Sequence, residues 1–100
     1  EFADILQIYL EESVNLMSDI HNGFNEQADS LLRAVHTLKS SSNNVGGTVL
    51  GEIAARMEAL VKENDIETAR THLDELQDVF TKTHCQIKKY KENIINDVAV

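Results

Sequence analysis

The 100-residue chain contains no proline and no tryptophan, only four glycines and a single cysteine. Because proline is absent, long uninterrupted helices are possible. The lone cysteine, Cys85, has no partner for a disulfide within the chain, which suits a reducing cytosol, and we expect it to be a small, partly buried apolar side chain. Apolar runs fall well short of the roughly 18 residues that a membrane-spanning helix requires, and no signal peptide is visible. The sequence therefore predicts a cytoplasmic domain without direct membrane contact.

Basic residues are also scarce, since nine lysines and arginines stand against 17 acidic residues and give a net charge of −8. This negative balance argues against nucleic acids and anionic membranes as partners. The acidic residues are unevenly distributed, because none lies between Ser30 and Gly51, whereas Arg33 and Lys39 lie within that segment. We therefore expect the surface around this segment to be free of carboxylates that would repel an incoming anionic group.

Length and apolar periodicity together indicate one helical domain. One hundred residues suffice for a single hydrophobic core. Apolar residues recur at helical spacing in four segments, of which the first ends at Gly23 and the second at Gly46-Gly47. Four amphipathic helices joined by short connections predict an all-α, antiparallel up-and-down four-helix bundle.

The fourth predicted helix is the longest of the set. Asn64, followed three residues later by Glu67, resembles a capping box at its start. The apolar residues that follow alternate in steps of four and three, which is the periodicity of left-handed bundle packing. We predict a single domain over residues 1–100, with a helical core over about residues 2–91 and a C-terminal tail over about residues 92–100.

The segment from His36 to Gly47 carries the most informative pattern in the chain. Apolar or small residues recur around it with helical spacing and define a buried stripe: Leu31, Val35, Leu38, Ser42 and Val45. At about 100° per residue, His36 lies about 140° from the centre of that stripe, and Ser40 about 180°. His36 is therefore predicted to face solvent. Because much of a histidine population is neutral near pH 7, we also predict that the exposed ring acts as a nucleophile.

The neighbours of His36 favour the same interpretation. Side chains on a helix lean toward its N-terminus, so the residues that can cover His36 are Lys39 and Ser40. Lys39 is expected to tilt its ammonium group toward the imidazole, where it would stabilise a phosphoryl group. Ser40 is too short to cover the ring, which leaves room for a second protein to approach in line.

This pattern resembles that of the histidine-containing phosphotransfer (HPt) family, which reads H-x-x-K-(G or S)-S-S-x-x-x-G-(A or G). The matching run here is His36-Thr37-Leu38-Lys39-Ser40-Ser41-Ser42-Asn43-Asn44-Val45-Gly46-Gly47. The resemblance extends from about Phe2 to Tyr90 in length and helix layout, and the family's next helix is similar to Ala54-Ala55-Arg56-Met57-Glu58. Glu58 would occupy the place where the family often has a polar residue near the phosphorylation site; otherwise it would lie on a solvated face.

The resemblance implies a phosphorelay carrier in two-component signal transduction. His36 would accept a phosphoryl group through Nε2 from the aspartyl phosphate of one receiver domain and pass it to the receiver of another response regulator. The domain would have no kinase activity and bind no cofactor or metal, because the partner receiver supplies Mg²⁺. It would be a monomer within a hybrid sensor kinase, tethered through that kinase to the inner membrane. Docking would use apolar and small residues on the second and third helices.

Two alternatives remain open. One is a non-catalytic helical module that only binds partners, with His36 unmodified; the other is a chemotaxis-kinase-type domain that an ATP-binding domain phosphorylates directly. The dimerisation hairpin of sensor kinases is disfavoured, because there an acidic residue and then a proline follow the histidine, whereas here Thr37 follows. His21, His72 and His84 lack a comparable neighbourhood, and no metal-ligand motif accompanies them.

Overall fold

The computed structural model describes residues 2–25 and 28–99, with side chains described as far as residue 94. These residues form five helices, and no strand occurs among them: α1 (Phe2–Gly23), α2 (Ala28–Asn44), α3 (Thr48–Lys62), α4 (Ile66–Thr71) and α5 (Leu73–Ala99). The prediction of an all-α protein is therefore confirmed.

The second helix, α2, has the buried stripe that its sequence predicts. Leu31, Val35, Leu38 and Ser42 are each fully buried, while Val45 is half-buried just beyond the last turn. The helix ends in a Schellman motif, in which Gly47 N donates to Ser42 O at 2.8 Å and Gly46 N donates to Asn43 O at 3.2 Å. Gly46 adopts the left-handed φ of +86° that this ending requires, which explains why glycine stands there.

The prediction for the start of the fourth helix is wrong by one residue. Asp65 caps α4, and its side chain accepts a hydrogen bond from Thr68 N at 3.4 Å. Asn64 instead takes a left-handed φ of +62° and turns the chain between α3 and α4, a conformation that asparagine tolerates better than most residues.

The predicted fourth helix is also two helices, because a break at His72 separates α4 from α5. The backbone of α5 then remains helical to Ala99. The C-terminal tail predicted over residues 92–100 therefore begins as a continuation of α5, and the side chains after residue 94 lie outside the described part.

The helices pack side by side into an elongated molecule of about 52 × 18 × 17 Å. Helix α2 packs against α1 and α3, and α5 packs against both α1 and α3. The main core takes apolar side chains from all five helices: Met17, Ile20, Leu31, Val35, Leu38, Leu50, Ile53, Met57, Ala69, Leu76 and Phe80. A smaller cluster of Leu6, Tyr9, Leu10 and Ile87 closes the other end between α1 and α5.

The connection between α1 and α2 depends on a glycine. A Cβ at Gly23 would lie 2.9 Å from Leu31 Cβ and 3.0 Å from Leu31 Cα. Because backbone atoms cannot move aside as a flexible side chain can, only glycine allows the end of α1 to approach α2 this closely. The approach holds α1 against the helix that carries His36.

The expectation that Cys85 is partly buried is wrong, because the side chain is exposed. Among the α5 side chains that the structure describes, the buried ones are Leu76, Phe80 and Ile87, and the helical repeat puts Cys85 on the opposite side. None of the helices in the described part of the chain is both long and apolar enough to span a lipid bilayer.

Candidate functional site

His36 lies on the outer face of α2, and its side chain is 58% exposed. This orientation follows directly from the buried stripe, because the core side of the helix is occupied by Leu31, Val35 and Leu38. The predicted exposure of His36 is therefore confirmed.

Glu58 of α3 lies beside His36 and is nearly buried, with its side chain 6% exposed. One carboxylate oxygen, Oε2, accepts a hydrogen bond from His36 Nδ1 at 2.5 Å. The other, Oε1, accepts one from Lys39 Nζ at 2.6 Å. Lys62, one turn further along α3, has its Nζ 3.7 Å from Oε2. We call these four residues the Glu58 cluster; it joins α2 to α3 at the exposed histidine.

Glu58 is the only acidic member of the cluster, and its environment keeps it ionised. Burial acts to raise the pKa of Glu58, but the hydrogen bonds from Lys39 and His36 and the positive charges of Lys39 and Lys62 outweigh it, so the pKa lies below its usual value. At neutral pH the cluster therefore contains a carboxylate with two ammonium groups close to it.

The contact with Glu58 assigns the tautomer of His36. An ionised carboxylate can only accept hydrogen bonds, so Nδ1 of His36 must carry the proton that it donates. In the neutral ring the lone pair is then on Nε2, and no side chain among the described residues makes a hydrogen bond to that atom. The geometry thus leaves Nε2 as the nucleophilic nitrogen of an exposed imidazole.

Two sequence expectations about this surface need correction. The segment from Ser30 to Gly51 is free of acidic residues, but the surface around it is not, because α3 brings Glu58 to His36. Lys39, which is predicted to tilt toward the imidazole, binds with its ammonium group the carboxylate that also holds the ring. The alternative that Glu58 lies on a solvated face is wrong as well, since only 5% of the residue is exposed.

Ser40 is exposed one turn after His36, where the sequence predicts it. The neighbouring hydroxyl groups bind the backbone of their own helix: Thr37 Oγ1 donates to Arg33 O at 2.9 Å and Ser41 Oγ donates to Thr37 O at 2.9 Å. These bonds keep the small polar side chains close to α2, so the approach to His36 along this face is lined by short groups.

The other histidines lie away from the Glu58 cluster. Nε2 of His21 is 3.2 Å from Gln77 Oε1 on the surface between α1 and α5. His84 is half-buried, and its Nε2 donates to Leu10 O at 2.9 Å, with Ser13 Oγ 3.1 Å away. Among the described residues no group of three or more histidine, cysteine, aspartate or glutamate side chains is arranged to hold a metal ion.

A groove between α1 and α2 borders the motif on the side away from α3, and sequence reasoning missed it. It has a volume of about 170 Å³ and is lined by Ile5, Ile8, Tyr9, Glu12, Ser13, Leu16, Thr37, Ser41, Asn44 and Val45. Ile5 and Ile8 are about half exposed (54% and 52%) and lie side by side in this groove. Their spacing with Phe2 in steps of three residues places all three on one side of α1, and only the packing of α1 shows that this side is exposed.

The described residues thus form an all-helical domain in which a carboxylate holds an exposed histidine. The family model of the Hpt domain matches this chain over residues 4–84, so the chain belongs to the Hpt domain family. Members of this family are phosphocarriers without catalytic activity of their own, which act in the phosphorelays of two-component signalling and interact with response-regulator receiver domains. The comparisons with curated proteins and with solved structures gave no match.

Proposed function

We propose that His36 is the phosphoacceptor of this domain, and that it takes a phosphoryl group from the aspartyl phosphate of one receiver and passes it to the aspartate of another. The observation that carries the proposal is the pairing of Nδ1 with Glu58, which leaves Nε2 as the lone-pair nitrogen on an exposed ring. Among the described residues, the three other histidines have no such carboxylate within hydrogen-bond distance.

The transfer reaction requires few chemical groups from the carrier itself. The Nε2 lone pair forms the N–P bond while the acyl phosphate O–P bond breaks, and the receiver aspartate leaves as a carboxylate. Phosphoryl transfer depends mainly on alignment and on stabilisation of charge. We propose that the receiver supplies Mg²⁺ and the acidic pocket, and that this domain binds no cofactor of its own.

Lys39 and Ser40 have separate roles in this proposal. Lys39 stabilises charge on the phosphoryl oxygens, and its position on Glu58, one turn from His36, supports that role. Lys62 remains close to Glu58 when Lys39 turns toward the phosphoryl group, so the carboxylate keeps a positive neighbour. Ser40 is the small residue that leaves His36 accessible to the receiver.

We propose that the receiver docks on α1 as well as on α2 and α3. The half-exposed Ile5 and Ile8 face the same groove as Thr37 and Ser41 of α2, and Thr37 directly follows the histidine. Apolar side chains near a small-residue face suit a modest, transient interface at the lower end of the usual size range. The domain acts as a monomer and forms part of a hybrid sensor kinase, a setting that rests on the family alone.

The test is phosphoryl transfer to His36→Gln and to two matched variants, His21→Gln and His72→Gln. Each is incubated with a panel of purified receiver domains phosphorylated with acetyl phosphate, and acid-labile label on the domain is followed at neutral pH. We expect transfer to the parent and to both matched variants and none to His36→Gln, with unchanged circular dichroism since residue 36 is exposed. Labelling of His36→Gln at the parent's level would show that another residue is the acceptor.

A further inference from the structure

We infer that Glu58 keeps the proton on Nδ1 of His36 after the ring has been phosphorylated, and that this retained proton keeps the phosphoryl group transferable. The inference rests on the proposed role of His36 and adds a positioning residue to it. Glu58 does not touch the reacting atoms, because its contact is with the opposite nitrogen of the ring.

The geometry of the contact favours a positively charged ring. When Nε2 carries the phosphoryl group and Nδ1 keeps its proton, the imidazole ring bears a formal positive charge. Glu58 Oε2 lies 2.5 Å from Nδ1, and the Glu58 side chain is only 6% exposed. An ionised carboxylate at this distance and in this degree of burial stabilises the protonated ring much more than it would in water.

Proton retention determines which species leaves in the second transfer. An oxygen of the accepting aspartate forms the O–P bond, and the Nε2–P bond breaks with its electron pair returning to Nε2. If Nδ1 is protonated, the leaving group is a neutral imidazole and no proton has to move. If Nδ1 has lost its proton, the ring must leave as an imidazolate anion, which is a far poorer leaving group. The carboxylate thus holds the carrier in the reactive form.

Nearby charges determine how far Glu58 raises the pH at which Nδ1 of the phosphorylated ring loses its proton. Lys39 and Lys62 both lie close to Glu58 and weaken its attraction for a cationic ring. On the α1 side, Glu12 lines the flanking groove with Thr37, and Asp19 lines a second cavity with Arg33 and Thr37; all three charged side chains are exposed to solvent. An opposite charge in direct contact moves a titration by about one to three pH units, and with two lysines opposing it we expect about one.

The experiment measures the titration of the phosphorylated ring without any receiver. The domain is phosphorylated with phosphoramidate, mass spectrometry assigns the modified histidine, and ¹⁵N NMR of the phosphohistidine follows Nδ1 as the pH is raised. In Glu58→Gln we expect the midpoint to fall by about one pH unit. The pH above which the phosphoryl group becomes resistant to hydrolysis should fall by the same amount.

Glu52→Gln is the matched control, since it removes the same charge from an exposed position on the same helix. Its midpoint should equal that of the parent. If Glu58→Gln fails to fold, the titration of the phosphorylated parent tests the inference by itself. Its midpoint should lie about one pH unit above that of the free phosphohistidine amino acid. A parent midpoint at or below that of the amino acid, or an unchanged midpoint in a folded Glu58→Gln, overturns the inference. Neither result bears on transfer from a receiver to His36, which is tested separately.

Discussion

The hydrogen bond between Tyr9 and Ser42 is expected to hold α1 against α2, and its contribution can be measured. The two hydroxyl oxygens are 2.8 Å apart, Ser42 is fully buried, and Tyr9 is 5% exposed. Ser42→Ala leaves the tyrosine hydroxyl buried without this partner, and a buried polar group in that state costs about 1–3 kcal/mol. We therefore expect Ser42→Ala to lower the free energy of unfolding by about 2 kcal/mol.

Tyr9→Phe should be milder, because the remaining Ser42 hydroxyl can turn to the carbonyl of its own helix one turn earlier. We expect a loss of about 1 kcal/mol from Tyr9→Phe. The double variant has neither hydroxyl and should also lose only about 1 kcal/mol, rather than the roughly 3 kcal/mol that addition would give.

The assay is urea unfolding at neutral pH, followed by far-ultraviolet circular dichroism because the chain has no tryptophan. Equal m-values would show that the variants differ in stability and not in the surface exposed on unfolding. Ser41→Ala is the matched control, since that hydroxyl binds the backbone of its own helix, and it should change the stability by less than about 0.5 kcal/mol. If the losses from Ser42→Ala and Tyr9→Phe simply add, the hydroxyl pair does not stabilise the α1–α2 contact.

The remaining predictions concern α2 and His84. Ser40→Leu should keep the fold but slow transfer from a phosphorylated receiver about tenfold or more, since a branched side chain would obstruct in-line approach; undiminished transfer would refute the need for a small residue. Lys39→Gln should slow transfer about tenfold, and a rate and phosphohistidine lifetime like the parent's would remove the lysine from the mechanism. Burial lowers the pKa of His84, with Lys88 adding to it and the hydrogen bond to Leu10 opposing it. The contribution of His84 to stability is therefore fully present above the ordinary histidine pKa and is lost as the pH falls through that value toward the lower folded pKa. The urea midpoint of the parent should decline as the pH is lowered over that range, and it should decline less in His84→Gln.

The contribution of Glu58 to stability is lost at a lower pH than the contribution of His84. Because the folded pKa of Glu58 is depressed, its stabilising contribution is present above the ordinary glutamate value and is lost as the pH falls through the folded value. As the pH falls, the loss of stability caused by His84 therefore begins before Glu58 is protonated. A comparison of the parent with His84→Gln should therefore separate the contribution of His84 from that of Glu58.

The sequence by itself determined the local features of this protein. Helix formation in α2 and the exposure of His36 follow from the spacing of apolar residues within one segment, which depends only on the 3.6-residue repeat. The end of α2 follows from Gly46, because only a residue tolerant of positive φ completes that motif. The start of α4 was predicted at Asn64 rather than Asp65 because both side chains are suitable caps, and local sequence does not distinguish them.

Only the tertiary structure decided what surrounds His36. Glu58 is 22 residues away in the chain, and its contact with Nδ1 exists because α3 packs on α2 with that face inward. The acid-free segment therefore did not predict an acid-free surface, since distance along the chain says nothing about which residues a neighbouring helix brings close. The groove of Ile5 and Ile8 likewise depends on how α1 lies against α2. Contacts between helices arise from the packing of whole helix faces, so the spacing of residues within one helix does not predict which residues of another helix it contacts.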